Sequence, residues 1–256
     1  MRKIKLLAVL AIILAIMVVL KCCNGKDNEP SEDLTDNQEA IETVAQSDGE
    51  RILLGRVEKN EHGGVRITVA GEDGTQKTFV FEDVAPDSWY INAVNYVVTT
   101  GLMNGSEDGP VFEPEYGIQR LQFAIVLYRL AGGEPEKATN SFSDLQGTEW
   151  FMDYVSWTTN HGYMNGKWDG TFDPYGFITC ETALIVLYRL AGEPKPEGTL
   201  EDYPYAPKVS PEGRDAVAWA WNSGLINEKE CVWYPTQAIS RAQCAILFMR
   251  YAAMMK

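Results

Sequence analysis

Residues 118–132 read IQRLQFAIVLYRLAG, and residues 178–192 read ITCETALIVLYRLAG. From Ile125 and from Ile185 onward the two stretches are identical. The register extends well beyond them. Asp83, Trp89, Gly101, Asn104 and Gly105 recur as Asp144, Trp150, Gly162, Asn165 and Gly166. Phe112, Pro114, Ile118, Tyr128, Arg129 and Gly132 recur as Phe172, Pro174, Ile178, Tyr188, Arg189 and Gly192. A third, more diverged copy carries Val217, Trp219, Gly224, Trp233, Pro235, Ile239 and Arg250. So many matches in one register mark internal repetition, which organises the chain.

Each copy reads as helix, loop, helix. In copy one the first helix is expected over about residues 88–100. Tyr90, Ala93, Val94 and Val97 form its apolar stripe, and Gly101 stands where a C-terminal cap belongs. Phe151, Tyr154, Val155 and Thr158 repeat the stripe. The second helix buries Phe123, Ala124, Leu127 and Leu130. Thr179 reads as an N-cap, and Ser240 with Gln243 as a capping box. Arg120, Cys180 and Arg241 then fall at the first helical position. A helix N-terminus with free N–H groups favours anions, and an arginine there adds a forked donor for a carboxylate. One unit of about 50 residues has too little core to stand alone, so three are expected to share one.

The remaining sequence splits cleanly. Arg2, Lys3 and Lys5 precede an apolar run from Leu6 to Leu20, which is the pattern of an export signal. As a helix that run rises about 22 Å against a hydrocarbon core of about 30 Å. Cys22 follows and is a lipidation candidate, although Lys21 stands where a lipoprotein signal has a small residue. Cleavage, lipidation and retention as an anchor all stay open. Residues 26–50 carry nine Asp and Glu against one Lys, a composition that reads as a flexible tether. RILLGRV, GVRITVA and KTFVFE, separated by NEHGG and GEDGT, read as a three-stranded meander. The expected divisions are a signal peptide or membrane anchor at 1–21, an acidic disordered linker at 22–50 and a small β segment at 51–80. Repeat units follow at 81–133, 142–192 and 200–253.

The net charge of -14 argues against non-specific binding to nucleic acid or an anionic lipid surface. Only His62 and His161 are present, far apart in sequence, so a His-rich metal site or a His-based acyl-transfer site is poorly supported. Cys22, Cys23, Cys180, Cys231 and Cys244 show no zinc-type pairing; a Cys231–Cys244 disulfide is weighed against free thiols, which are favoured. Asp169 and Asp173 sit in a loop whose copy-one counterpart is EDGPVFEP. They read as scaffold, and no catalytic residue, cofactor or metal is expected. All seven tryptophans lie between Trp89 and Trp233. Trp157, Trp219 and Trp233 read as core, whereas Trp89 and Trp150 suit either core or a sugar platform.

The ordered series FEDV, Trp, GLMNG, Phe-x-Pro, Ile-x-Arg and LYRLAG resembles the S-layer homology module, over about residues 81–253. The resemblance implies a mainly α fold with three helix-loop-helix repeats packed as a pseudo-threefold bundle. The β-meander and the N-terminal hydrophobic segment would precede it. It also implies non-catalytic binding of secondary cell-wall polysaccharide, acidic or pyruvylated, in grooves between modules at the cell surface. In that family the arginine contacts the acidic sugar, helped by the opening Asp, the nearby Trp and a loop Gly. The matching positions are Asp83, Trp89, Gly105 and Arg120; then Asp144, Trp150 and Gly166, with Cys180 in the arginine's place; then Asp202 and Arg241. Two competent grooves at most are expected, and an arginine at 180 is expected to add one. A protein-interaction scaffold at the envelope is the alternative. An N-terminal anchor would make the membrane a second partner.

Overall fold

The computed structural model describes residues 44–45, 51–52, 54–71, 73–139 and 141–255. Two compact units divide at Leu53/Leu54. The apolar segment 1–21, the candidate lipid site Cys22 and most of the acidic stretch 22–50 lie outside the described residues. In the first unit β1 (Val44–Ala45) pairs antiparallel with β2 (Arg51–Ile52). Among the described residues no helix is long and apolar enough to cross a membrane.

The second unit opens with the meander. Strands β3 (Arg56–Lys59), β4 (Val65–Ala70) and β5 (Gln76–Phe81) pair antiparallel in that order. Val65 and Ile67 alternate with exposed Arg66 and are fully buried, as their period of two requires. The meander's first strand starts at Arg56, whereas Arg51–Ile52 of RILLG pairs with β1. Gly55 is taken up by the helix region: its N–H donates to Asn95 Oδ1 at 2.9 Å, and its carbonyl accepts from Asn95 Nδ2 at 2.8 Å. A Cβ on Gly55 would lie 2.6 Å from Ile67 Cγ2, so the close approach requires glycine.

Six helices follow: α1 (Ile91–Thr99), α2 (Arg120–Ala131), α3 (Met152–Asn160), α4 (Cys180–Leu190), α5 (Arg214–Asn222) and α6 (Arg241–Met254). The unit is mainly helical with a small sheet. The expected stripe of α1 is buried at Tyr90, Ala93, Val94 and Val97. Gly101, Gly162 and Gly224 end the first helix of each copy at φ of 71°, 72° and 76°, the left-handed conformation that favours glycine. Thr179 Oγ1 accepts from Thr182 N at 3.2 Å, and Ser240 with Gln243 forms the reciprocal capping box. Arg129, Arg189 and Arg250 each donate to the loop after the first helix of their own copy, at Leu102, Tyr163 and Leu225 carbonyls.

The second helix of each copy packs on the first helix of another: α2 on α3, α4 on α5, and α6 back on α1. A ring of backbone hydrogen bonds accompanies these pairs. Ile118 N donates to Ile239 O at 2.9 Å, Ile239 N to Ile178 O at 3.0 Å, and Ile178 N to Ile118 O at 3.1 Å. All three isoleucine side chains are buried. A buried backbone polar group must find a partner, and here each partner comes from a different copy.

Candidate functional site

Arg120, Cys180 and Arg241 are indeed the first residues of α2, α4 and α6. Their helix ends, however, are not free anion sites. The Arg120, Cys180 and Arg241 N–H groups donate to the carbonyls of Gly176, Gln237 and Tyr116, each at 2.9 Å. The N–H groups of Leu121, Glu181 and Ala242 donate to the carbonyls of Pro174, Pro235 and Pro114. The amides that a helix normally leaves orphaned are thus satisfied by the Pro-containing loop of another copy. This corrects the expectation that the helix N-termini themselves would hold an anion.

The two guanidinium groups are also placed otherwise than expected. They do not stand at open cleft mouths: Arg120 is 8% exposed and Arg241 6%. Arg120 Nε donates to Phe172 O at 2.7 Å and Nη2 to Asn165 O at 2.8 Å. Arg241 repeats this on Phe112 O and Asn104 O at the same distances. Each group lies 4.9 Å from the centre of the ring of that same phenylalanine. No carboxylate lies within ion-pair distance of either among the described residues. Burial pulls both pKa values down; Asp173 and Asp144 oppose this at Arg120, as do Cys244, Glu113 and Asp83 at Arg241. An arginine stays charged in proteins, so each junction keeps a buried cation.

These contacts regroup the expected site. Arg120 belongs with Asp144 and Gly166 of copy two, and Arg241 with Asp83 and Gly105 of copy one. Asp83 accepts from Phe112 N at 2.8 Å and Glu113 N at 2.6 Å. Asp144 accepts from Phe172 N and Asp173 N, both at 2.8 Å. Both oxygens of each carboxylate therefore hold the Phe-x-Pro loop. That clamp keeps Glu113 and Asp173 at φ of 59° and 54°, a strained conformation for residues other than glycine. Lys167 pairs with Asp173.

Gly105 and Gly166 adjoin the asparagines. A Cβ at Gly105 would lie 2.6 Å from Phe81 Cε1, and one at Gly166 would lie 2.5 Å from Phe142 Cε1. Copy three has Leu200 and Glu228 in those two positions. Trp89 and Trp150 are 40% and 73% exposed, edge-on to Tyr90 and Phe151. Trp157, Trp219 and Trp233 are buried. Asp202 is exposed, and Cys180, Cys231 and Cys244 are free thiols.

An open cleft of about 390 Å³ is lined by Thr139, Phe142, Thr159, Met164, Asn165 and Gly166, among others. It shares the Asn165–Gly166 loop with the Arg120 junction. The residues that sequence reasoning missed are the acceptors Asn104, Asn165, Phe112 and Phe172. Their contribution is mostly a backbone carbonyl, which no side chain announces; the repeated Phe-x-Pro and Asn-Gly were the available signals.

Two segments of the chain match a family model, and several surface proteins are partly similar to it. The family model described as S-layer homology domain matches residues 80–124 and 141–179. Cell surface glycoprotein 1 of Acetivibrio thermocellus is 27% identical over 159 residues, 58% of this chain and 6% of that protein. The S-layer protein sap of Bacillus anthracis is 29% identical over 144 residues, 55% of this chain and 17% of its own length. A cellulosome-anchoring protein of Acetivibrio thermocellus is 29% identical over 120 residues, 45% and 27% respectively. The chain thus spans between 6% and 27% of the length of these relatives.

Proposed function

We propose that this protein is a non-catalytic surface protein that anchors to the cell wall by binding an acidic secondary cell-wall polysaccharide. Its three copies form a pseudo-threefold unit, with residues 200–253 as the third module. The ring through Ile118, Ile178 and Ile239 and the cyclic pairing of helices support that packing. The ligand sites are the junctions of Arg120 with Asp144 and Gly166, and of Arg241 with Asp83 and Gly105. The exposed faces of Trp89 and Trp150 serve as sugar platforms.

The carrying observation is the pair of buried guanidinium groups with no protein carboxylate in contact. Such a charge is costly to bury alone. Two donors of each group are fixed on backbone carbonyls, which sets the plane of the fork. The nearby Asp83 and Asp144 are occupied with amides and do not reach it. A sugar carboxylate, such as that of a pyruvyl ketal, completes the pair through the remaining N–H groups. The apolar run Leu6–Leu20 and the acidic stretch after it fit export and a tether to the envelope, with the membrane as a second attachment.

Co-sedimentation with purified wall sacculi tests this. Arg120→Ala and Arg241→Ala are each expected to weaken binding about tenfold or more, since a charge-assisted hydrogen bond contributes about 1.5–3 kcal/mol. The helical circular dichroism of each variant separates loss of the site from loss of fold. Wild-type binding by a folded double variant would refute the assignment.

A further inference from the structure

The junction that begins at Cys180 is built differently from the other two. Cys180 N donates to Gln237 O and Glu181 N to Pro235 O, so the helix end is seated as in the other copies. The two carbonyls that an arginine would take here are those of Asn227 and Trp233, at the positions of Asn104 and Phe112, or Asn165 and Phe172. Both already have donors. The Tyr203 hydroxyl donates to Trp233 O, and Trp233 Nε1 donates to Asn227 O at 2.8 Å. Tyr203 stands where copy two has Leu145: Tyr203 N donates to Leu200 O just as Leu145 N donates to Phe142 O. Trp233 is 1% exposed and Tyr203 3%, so neither group has water as an alternative partner.

The geometry points to the Cys180 junction being a neutral structural lock. Tyr203 and Trp233 together hold the two carbonyls that Arg120 and Arg241 hold elsewhere, and anionic ligands are confined to the two arginine junctions. The second half of this statement rests on the proposed function; the first does not. The arginine is not simply lost from copy two. Its hydrogen-bonding role is divided between two side chains of copy three, and its charge has no counterpart. Burial, together with the neighbouring Cys231, pushes the Cys180 thiol up to about 12, so that side chain stays neutral as well. This reverses the sequence expectation for an arginine at 180. The new guanidinium would be buried where Tyr203 and Trp233 already donate to its two carbonyls, so it must compete with both for those acceptors in a desolvated site.

Calorimetry on the full chain distinguishes the outcomes. Cys180→Arg is expected to lower Tm by about 5–10 °C, on the scale of 2–4 °C per kcal/mol for a chain of this size. The triple variant C180R/Y203L/W233F rebuilds the residues of the other copies and is expected to recover more than half of that loss. A C180R protein that does not fold meets the expectation only when the triple variant does fold. The lock is overturned if C180R is as stable as wild type, if the triple variant is no more stable than C180R, or if Tyr203→Phe leaves Tm unchanged. In titrations with short oligosaccharides cut from purified wall polysaccharide, wild type is expected to bind two per chain and the triple variant three. A triple variant that regains stability yet binds nothing would leave the lock standing and count against the glycan reading.

Discussion

At the scale of single residues, much of the repeated motif is architecture. Asp83 and Asp144 resemble polar ligand residues in the sequence, yet each spends both oxygens on the backbone of the Phe-x-Pro loop. At Gly105 and Gly166 a Cβ would meet both an aromatic ring and a backbone carbonyl, those of Val111 and Thr171. Copy three makes the same point from the other direction, with the smaller Leu200 accompanying Glu228. Gly166→Ala is therefore expected to destabilise the fold by about 1–3 kcal/mol, the usual cost of overpacking. Adding Phe142→Leu should restore part of that loss, as chemical denaturation can measure. An additive pair would show that the ring is not what excludes the side chain.

At the scale of elements, the helices were legible and the joins between them were not. The stripe of Tyr90, Ala93, Val94 and Val97, the Gly101 cap and the Ser240–Gln243 capping box are local patterns, and each appears where the sequence put it. The fate of the helix N-termini was not local. Whether Arg120 N finds an anion or Gly176 O depends on a residue 56 positions away, and carbonyl groups carry no sequence label. The same holds for the meander. Its three strands were visible from alternation, but the attachment of Gly55 to Asn95 spans 40 residues. Asn95→Ala leaves the buried Gly55 carbonyl without its donor and the Gly55 N–H with Thr99 Oγ1 alone, at about 1–3 kcal/mol. Amide exchange in β3 is expected to speed up by about tenfold or more while α6 stays protected. Equal acceleration in both would mean the sheet and helices open as one unit.

At the scale of the whole repeat region, the helix pairs and backbone bonds link segments far apart in the chain. Helix α1 has its partner in α6, at the far end of the chain, and the isoleucine ring needs all three copies. Truncation after residue 199 removes copy three and leaves α1 and the Ile178 carbonyl without partners. Such a chain is expected to lose its single cooperative thermal transition, because the remaining copies cannot complete a core. A sharp, wild-type-like transition would show that these links are dispensable. Arg120 donates to carbonyls of copy two and Arg241 to carbonyls of copy one, so the contacts cross between copies. A sequence reading that grouped residues by copy could find the participants but not which of them meet.

The proposed wall anchoring depends most directly on attraction between two buried guanidinium groups and an acidic sugar. Equilibrium binding of the wild-type protein should be measured against purified wall polysaccharide before and after chemical removal of its acidic substituents. At least a tenfold loss of affinity is expected on removal, from the roughly 1.5–3 kcal/mol of each charge-assisted contact. Equal affinity for the stripped polymer would contradict it.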